Sequence, residues 1–96
     1  MAEFRLRPAA RADLEGIWQD TAERWSAQQA ETYISLLFDA FAALADFPLS
    51  GQDASDIREG YRQRLCGSHV IFYRPEGYGV EIARVLQSHM LPDAHF

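Results

Sequence analysis

The spacing of apolar and polar positions changes several times along this chain, and each change marks an element. Glu3-Phe4-Arg5-Leu6-Arg7 alternates as a half-buried strand does, with Phe4 and Leu6 turned inward. Pro8 suits the first turn of a helix, where its missing N–H is not needed. From Ala9 to Trp25 the spacing is helical. Leu14, Ile17, Trp18, Thr21 and Trp25 fall on one face, while Arg11, Asp13, Glu15, Asp20 and Glu23 fall mostly elsewhere. Ser26-Ala27-Gln28-Gln29 has the form of a capping box, in which the Ser26 hydroxyl accepts from the Gln29 backbone N–H. A second helix is predicted from Ala27 to Asp46. Its wide apolar stripe contains Ala30, Tyr33, Ile34, Leu37, Phe38, Phe41, Leu44 and Ala45. Almost nothing separates the two helices, so an antiparallel hairpin is expected. Phe47-Pro48 ends the second helix, and Leu49 to Gly60 has no period and reads as a surface loop.

The remainder reads as three antiparallel strands. Tyr61–Cys66 and His69–Arg74 are joined at Gly67-Ser68, and Gly79–Leu86 follows Pro75-Glu76-Gly77. In the first of these, Tyr61, Gln63 and Leu65 share one face and Arg62 and Arg64 the other, so the apolar side is predicted to meet the helices. The next two strands are apolar on both sides. Two helices cover one face of a small sheet. The other face is then expected to show Val70 and Phe72 flanked by Arg62, Arg64, Arg74 and Arg84. An apolar patch rimmed by charge is a docking surface unless a second copy or the tail, Gln87 to Phe96, covers it. One bulge in the last strand would change where Arg84 points. Met90 and Leu91 in the tail form a second candidate contact region. The expected fold is α+β: an N-terminal strand, an antiparallel helical hairpin and a three-stranded antiparallel meander, in a single domain over residues 1–96.

Composition narrows the function. With 96 residues, 48% hydrophobic and 24% charged, the chain has the make-up of an ordinary globular domain. No apolar run approaches membrane-spanning length, and the start at Met1-Ala2 lacks a signal-peptide pattern, so a cytoplasmic protein is expected. Cys66 is alone, which fits a reducing compartment. The net charge is −5, and all nine basic residues are arginines. Arginine presents a permanently charged planar fork suited to carboxylates and is a poor general base. Acidity argues against phosphate capture as the source of affinity, so no direct high-affinity nucleic acid binding is expected. His69 alternates with Ile71 and Tyr73 as a packed, hydrogen-bonded residue would. His89 follows the last strand and is the best acid/base candidate, although a plain surface histidine is the favoured reading, and His95 lies at the chain end. Cys66, His69 and His89 lack a ligand framework, and no phosphate loop, Ser–His–Asp set or zinc motif is visible. No cofactor or metal is expected.

Five local motifs in this order resemble the RelE/ParE toxin superfamily. They are Pro8 to Trp18; Phe47-Pro48-Leu49-Ser50-Gly51; Gly60-Tyr61-Arg62; Ser68 to Arg74; and Val80 to Leu86. The resemblance covers nearly the whole chain, and the closest branch is ParE. It implies a bacterial cytosolic toxin of a type II toxin–antitoxin pair, neutralised by a ParD-like antitoxin and inhibiting DNA gyrase by protein binding. The related RelE branch cleaves messenger RNA on the ribosome. That chemistry needs a group to take the 2′-OH proton, cations for the phosphorane and an acid for the leaving oxygen. Arg62 and Arg64 stand at basic positions of the RelE pattern, but Val70 stands where it has an arginine, and Gln87 or Ser88 where it has a further basic residue. A binding toxin without catalytic residues is therefore the first expectation. A RelE-type ribonuclease using His89 and Arg64 is the alternative, and an inactivated member retained as an antitoxin ligand is a third. The expected contact residues are Arg62, Arg64, Val70, Phe72, Arg74, Arg84, Met90 and Leu91.

Overall fold

The computed structural model describes residues 2–89. Met90, Leu91 and the remainder of the tail, on which part of the expected contact surface falls, lie outside the described residues. The order is β1 (Glu3–Leu6), α1 (Pro8–Arg24), α2 (Ala27–Asp46), β2 (Gln52–Asp53), β3 (Arg62–Cys66), β4 (His69–Glu76) and β5 (Gly79–Gln87). Among the described residues the strands form one sheet in the order β1-β5-β4-β3-β2, with β1 parallel to β5 and the other pairs antiparallel. The helical hairpin and the meander are as expected from the sequence. The two-residue β2 is an addition: Gln52 and Asp53 pair with Gln63 and Arg62 from within the loop, too briefly to leave a period.

Local chemistry sets the helix boundaries. Ser26 Oγ accepts from Gln29 N at 3.0 Å, so the first turn of α2 is capped as its sequence requires. Ala30, Leu37, Phe41, Leu44 and Ala45 are buried from α2, and Ala10 and Leu14 from α1. They meet Ile71 and Tyr73 of β4 and Val80, Ile82 and Val85 of β5 in one core. Phe4 packs its ring against Phe38 and Phe41 at 5.7 and 5.4 Å, tying β1 to α2. The expected α1 face is corrected at its C-terminal end: Trp18 and Trp25 are exposed, Trp25 at 72%. Trp18 is 38% exposed in the middle of α1, and Trp25 stands at the hairpin turn itself.

The faces of β3 are the reverse of those predicted. The Gly67-Ser68 turn closes with Cys66 opposite His69, which places Arg64 opposite Ile71 and Arg62 opposite Tyr73. Directly opposed residues share a face. Ile71 and Tyr73 belong to the core beneath the helices, so Arg62, Arg64 and Cys66 lie on the helix side and Gln63 and Leu65 on the far side. Tyr61, which precedes β3, packs instead with Ala54, Ile57 and Ala83. Before the β5 irregularity, Val80 and Ile82 face the core, so Ala83 points away from the helices, and the 54–61 loop lies across that face. The far face is therefore partly covered, and Phe72 is only 2% exposed.

A register irregularity falls where Tyr73 pairs with Ile82 and Phe72 with Arg84, leaving Ala83 unmatched. Gly79 has φ +142°, and a Cβ there would lie 2.0 Å from the Glu3 carbonyl oxygen. Only glycine admits β1 alongside β5 at this distance.

Candidate interaction surface

The four strand arginines proposed as one rim are dispersed, and each has its own environment. Arg62 Nη1 donates to the carbonyl oxygens of Gly51 at 2.7 Å and Leu49 at 3.3 Å, binding the turn after α2 to β3. Tyr73 anchors the same turn: its hydroxyl accepts from Gly51 N at 2.9 Å and donates to the Pro48 carbonyl at 2.8 Å. Burial pushes the Tyr73 phenol above its ordinary pKa, partly opposed by the bond from Gly51 and by Arg62 and Arg64. Arg74 lies on the far face and is held by Glu76 through Nε at 2.8 Å and Nη2 at 2.7 Å.

Arg84 sits where β5 outruns β1. Its Nε and Nη2 donate to the two carboxylate oxygens of Asp13 at 2.8 and 2.7 Å, and Val85 N donates to the same carboxylate at 2.9 Å. A single α1 side chain thus clips the unpaired part of the sheet edge to the helix. The hydrogen bond to Asp13 is the main cause raising the Arg84 pKa further.

Arg64 is exposed and has no hydrogen-bond or ion-pair partner among the described residues. Next to it, Leu65 is 68% exposed. Leu65 lies opposite half-buried Val70 on the far face. Because β2 pairs only with Arg62 and Gln63, residues 64–66 have no strand beside them on that edge among the described residues. Leu65 was missed as a surface residue because its parity was inverted. The turn length held the signal: a two-residue connection at Gly67-Ser68 fixes the pairing of both strands.

Among the histidines, His69 is buried, as its alternation predicts. Its Nδ1 lies 2.6 Å from the Tyr33 hydroxyl. Burial lowers its pKa, against smaller opposing effects of Asp20 and Asp13. His89 is exposed. Burial raises the Cys66 thiol pKa, and Arg64 pulls the other way. The described residues contain no group of three or more His, Cys, Asp or Glu side chains able to hold a metal, and no helix long and apolar enough to cross a membrane.

Charge is as unevenly distributed as the arginines. The hairpin contains Asp13, Glu15, Asp20, Glu23, Glu31, Asp39 and Asp46 against Arg11 and Arg24, so it accounts for the whole formal charge of −5. The rest of the sequence is balanced, with seven acidic residues against seven arginines.

The family model described as ParE toxin of type II toxin-antitoxin system, parDE, matches residues 4–92. The chain belongs to the ParE toxin family. It is 42% identical over 95 residues to Toxin ParE1 of Caulobacter vibrioides, spanning 99% of this chain and 98% of that protein. It is also 42% identical over 90 residues to Toxin ParE1 of Mycobacterium tuberculosis, spanning 93% and 92%. A solved structure titled "Chromosomal ParDE TA system from P. aeruginosa" superposes with a TM-score of 0.77 at 16% identity, covering 91% of this chain and 96% of that one, and so shares the fold. This ParE toxin is thus the toxin component of a type II toxin–antitoxin system, built as a helical hairpin on a five-stranded sheet.

Proposed function

We propose that this ParE toxin acts in the cytoplasm by binding rather than catalysis: it inhibits DNA gyrase through protein contact and is neutralised by a ParD-like antitoxin. One observation carries the reading. Three of the four strand arginines are committed elsewhere, Arg62 to backbone carbonyls, Arg84 to Asp13 and Arg74 to Glu76, which leaves Arg64 alone among them to meet a phosphate. Stabilising a phosphorane needs several donors aimed at one point, and these are spread over two sides of the sheet. The gyrase target follows from the family resemblance.

The antitoxin contact centres on the β3 edge and the hairpin beside it. Leu65 and Val70 offer apolar surface, and Arg64 offers an exposed guanidinium on the adjoining face of the same strand. An amphipathic acidic segment that orders on contact fits this surface: its apolar side chains cover Leu65 and Val70 and a carboxylate pairs with Arg64. Arg74, Met90 and Leu91 extend the contact. Arg62, Phe72 and Arg84 support it from within the fold. Purified toxin added to gyrase in a supercoiling assay should inhibit, and addition of the antitoxin should relieve the inhibition. An unchanged supercoiling rate, or cleavage of transcripts in translating ribosomes, would overturn the proposal.

A further inference from the structure

A second polar cluster lies away from that edge, where the Gly67-Ser68 turn meets the hairpin. The Tyr33 hydroxyl from α2 is its hub. It accepts from Ser68 N at 3.1 Å, lies 2.6 Å from His69 Nδ1, and is 3.4 Å from both the Cys66 carbonyl oxygen and Ser68 Oγ. The turn is pressed against this side chain. Gly67 has φ +60°, and a Cβ there would come within 2.5 Å of the Tyr33 hydroxyl. With Ser68 N–H donating to the phenol oxygen, the phenol proton is directed to Nδ1, and a neutral His69 ring carries its own proton on Nε2.

Two adjoining clefts, of about 350 and 310 Å³, share Asp20, Thr21, Arg24, His69 and Gln87 in their walls. The charged and titratable groups around the ring come from every neighbouring element. They are Asp13, Asp20 and Arg24 from α1, Tyr33 from α2, Cys66 from β3 and Arg84 from β5. Asp13 is engaged by Arg84 in two short bonds, whereas among the described residues Asp20 is held only by Arg24, through one 3.3 Å contact between side chains that are 49% and 70% exposed. Asp20 is the carboxylate free to change partner.

We propose that Tyr33, His69 and Asp20 form a proton-operated latch between the helical hairpin and the β3–β4 turn. With a neutral ring, Tyr33 donates to His69 and Asp20 stays with Arg24. A proton from solvent on the ring makes Nδ1 a donor. Tyr33 must then accept from it and turn its own hydroxyl proton toward the Cys66 carbonyl or Ser68 Oγ, while Asp20 leaves Arg24 for the imidazolium. Protonation reverses the hydrogen bond that pins the turn and releases the Arg24 guanidinium from α1.

The test is an NMR titration of the full chain, following the His69 ring nitrogens, Arg24 Nε and the Tyr33 ring carbon bearing the hydroxyl. The Nε2–H tautomer at neutral pH, and Arg24 and Tyr33 signals that move with the His69 midpoint, are expected. Asp20→Asn, at an exposed position that leaves the fold intact, should move that midpoint to lower pH by about half a unit and abolish the coupled Arg24 change. An Nδ1–H tautomer at neutral pH, an Arg24 signal indifferent to the His69 titration, or a midpoint unmoved by Asp20→Asn would each overturn the latch.

Discussion

The two flanks of this sheet use similar residues for opposite ends. On the β1–β5 flank, charge is consumed by the fold. Asp13 clips Arg84 and the Val85 N–H, Arg7 Nε lies 3.2 Å from Glu81, and Arg5 stands over the Tyr78 ring at 3.9 Å. On the β3 flank, Arg62 is fixed by carbonyls, yet two residues further on Arg64 is exposed beside an exposed Leu65. A side chain already bound by its own fold offers a partner little new free energy, because its interaction must first be given up. An arginine without a partner, adjoining apolar surface, makes its interaction on docking. Counting arginines therefore overestimates a binding surface, and what each guanidinium already touches decides the matter.

The contrast can be broken most severely at Gly79. Gly79→Ala drives a Cβ into the Glu3 backbone, so β1 must detach, and a loss of about 3 kcal/mol or more in urea unfolding is expected. Asp13→Ala leaves a largely covered guanidinium and the Val85 N–H without their carboxylate, and should cost about 2–3 kcal/mol after allowance for partial exposure. Asp13→Ala combined with Arg84→Met should recover part of that loss, since no unpaired charge remains. Full additivity of the two substitutions would show that the clip is not a unit.

Titration gives a smaller effect. The His69 pKa is lowered in the folded chain, so the folded state binds fewer protons than the unfolded state. The contribution is complete above the ordinary histidine value of 6.5 and is lost as pH falls from there through the lowered folded value. Thermal unfolding should show a decline below that pH that His69→Gln flattens; parallel profiles for the two proteins would refute it. On the β3 edge the effect on stability should be smallest. Arg64→Glu and Leu65→Asp are each expected to stay within about 0.5 kcal/mol of the parent, while weakening antitoxin affinity about tenfold in a calorimetric titration. Unaltered affinity in both variants would remove this edge from the contact.

Legibility followed the reach of the interactions. The Ser26 cap, the α2 stripe and the helical hairpin depend on neighbours three or four residues away and could be read directly. The prediction failed where a distant element decided the outcome. The faces of β3 were inverted because alternation in Tyr61–Cys66 was read alone, without the pairing that the two-residue turn imposes. Phe72 was expected on an open face, but nothing local reveals that the 54–61 loop crosses part of that side or that Phe72 is buried. Arg84 could not be assigned without the irregularity at Ala83, which is a property of two paired strands.

The order of residues by itself determined the two helices with their ends, the four longer strands, and the ParE resemblance carried by motifs from Pro8 to Leu86. Each rests on short-range periodicity or on adjacent residues. Only the tertiary structure decided which arginines remain available and which are spent on Leu49, Gly51, Glu76 and Asp13. A guanidinium has the same chemistry at every position in the sequence. Its availability depends on the oxygen atoms that folding brings within 3 Å of it, and for Arg84 the nearest carboxylate is 71 residues away along the chain.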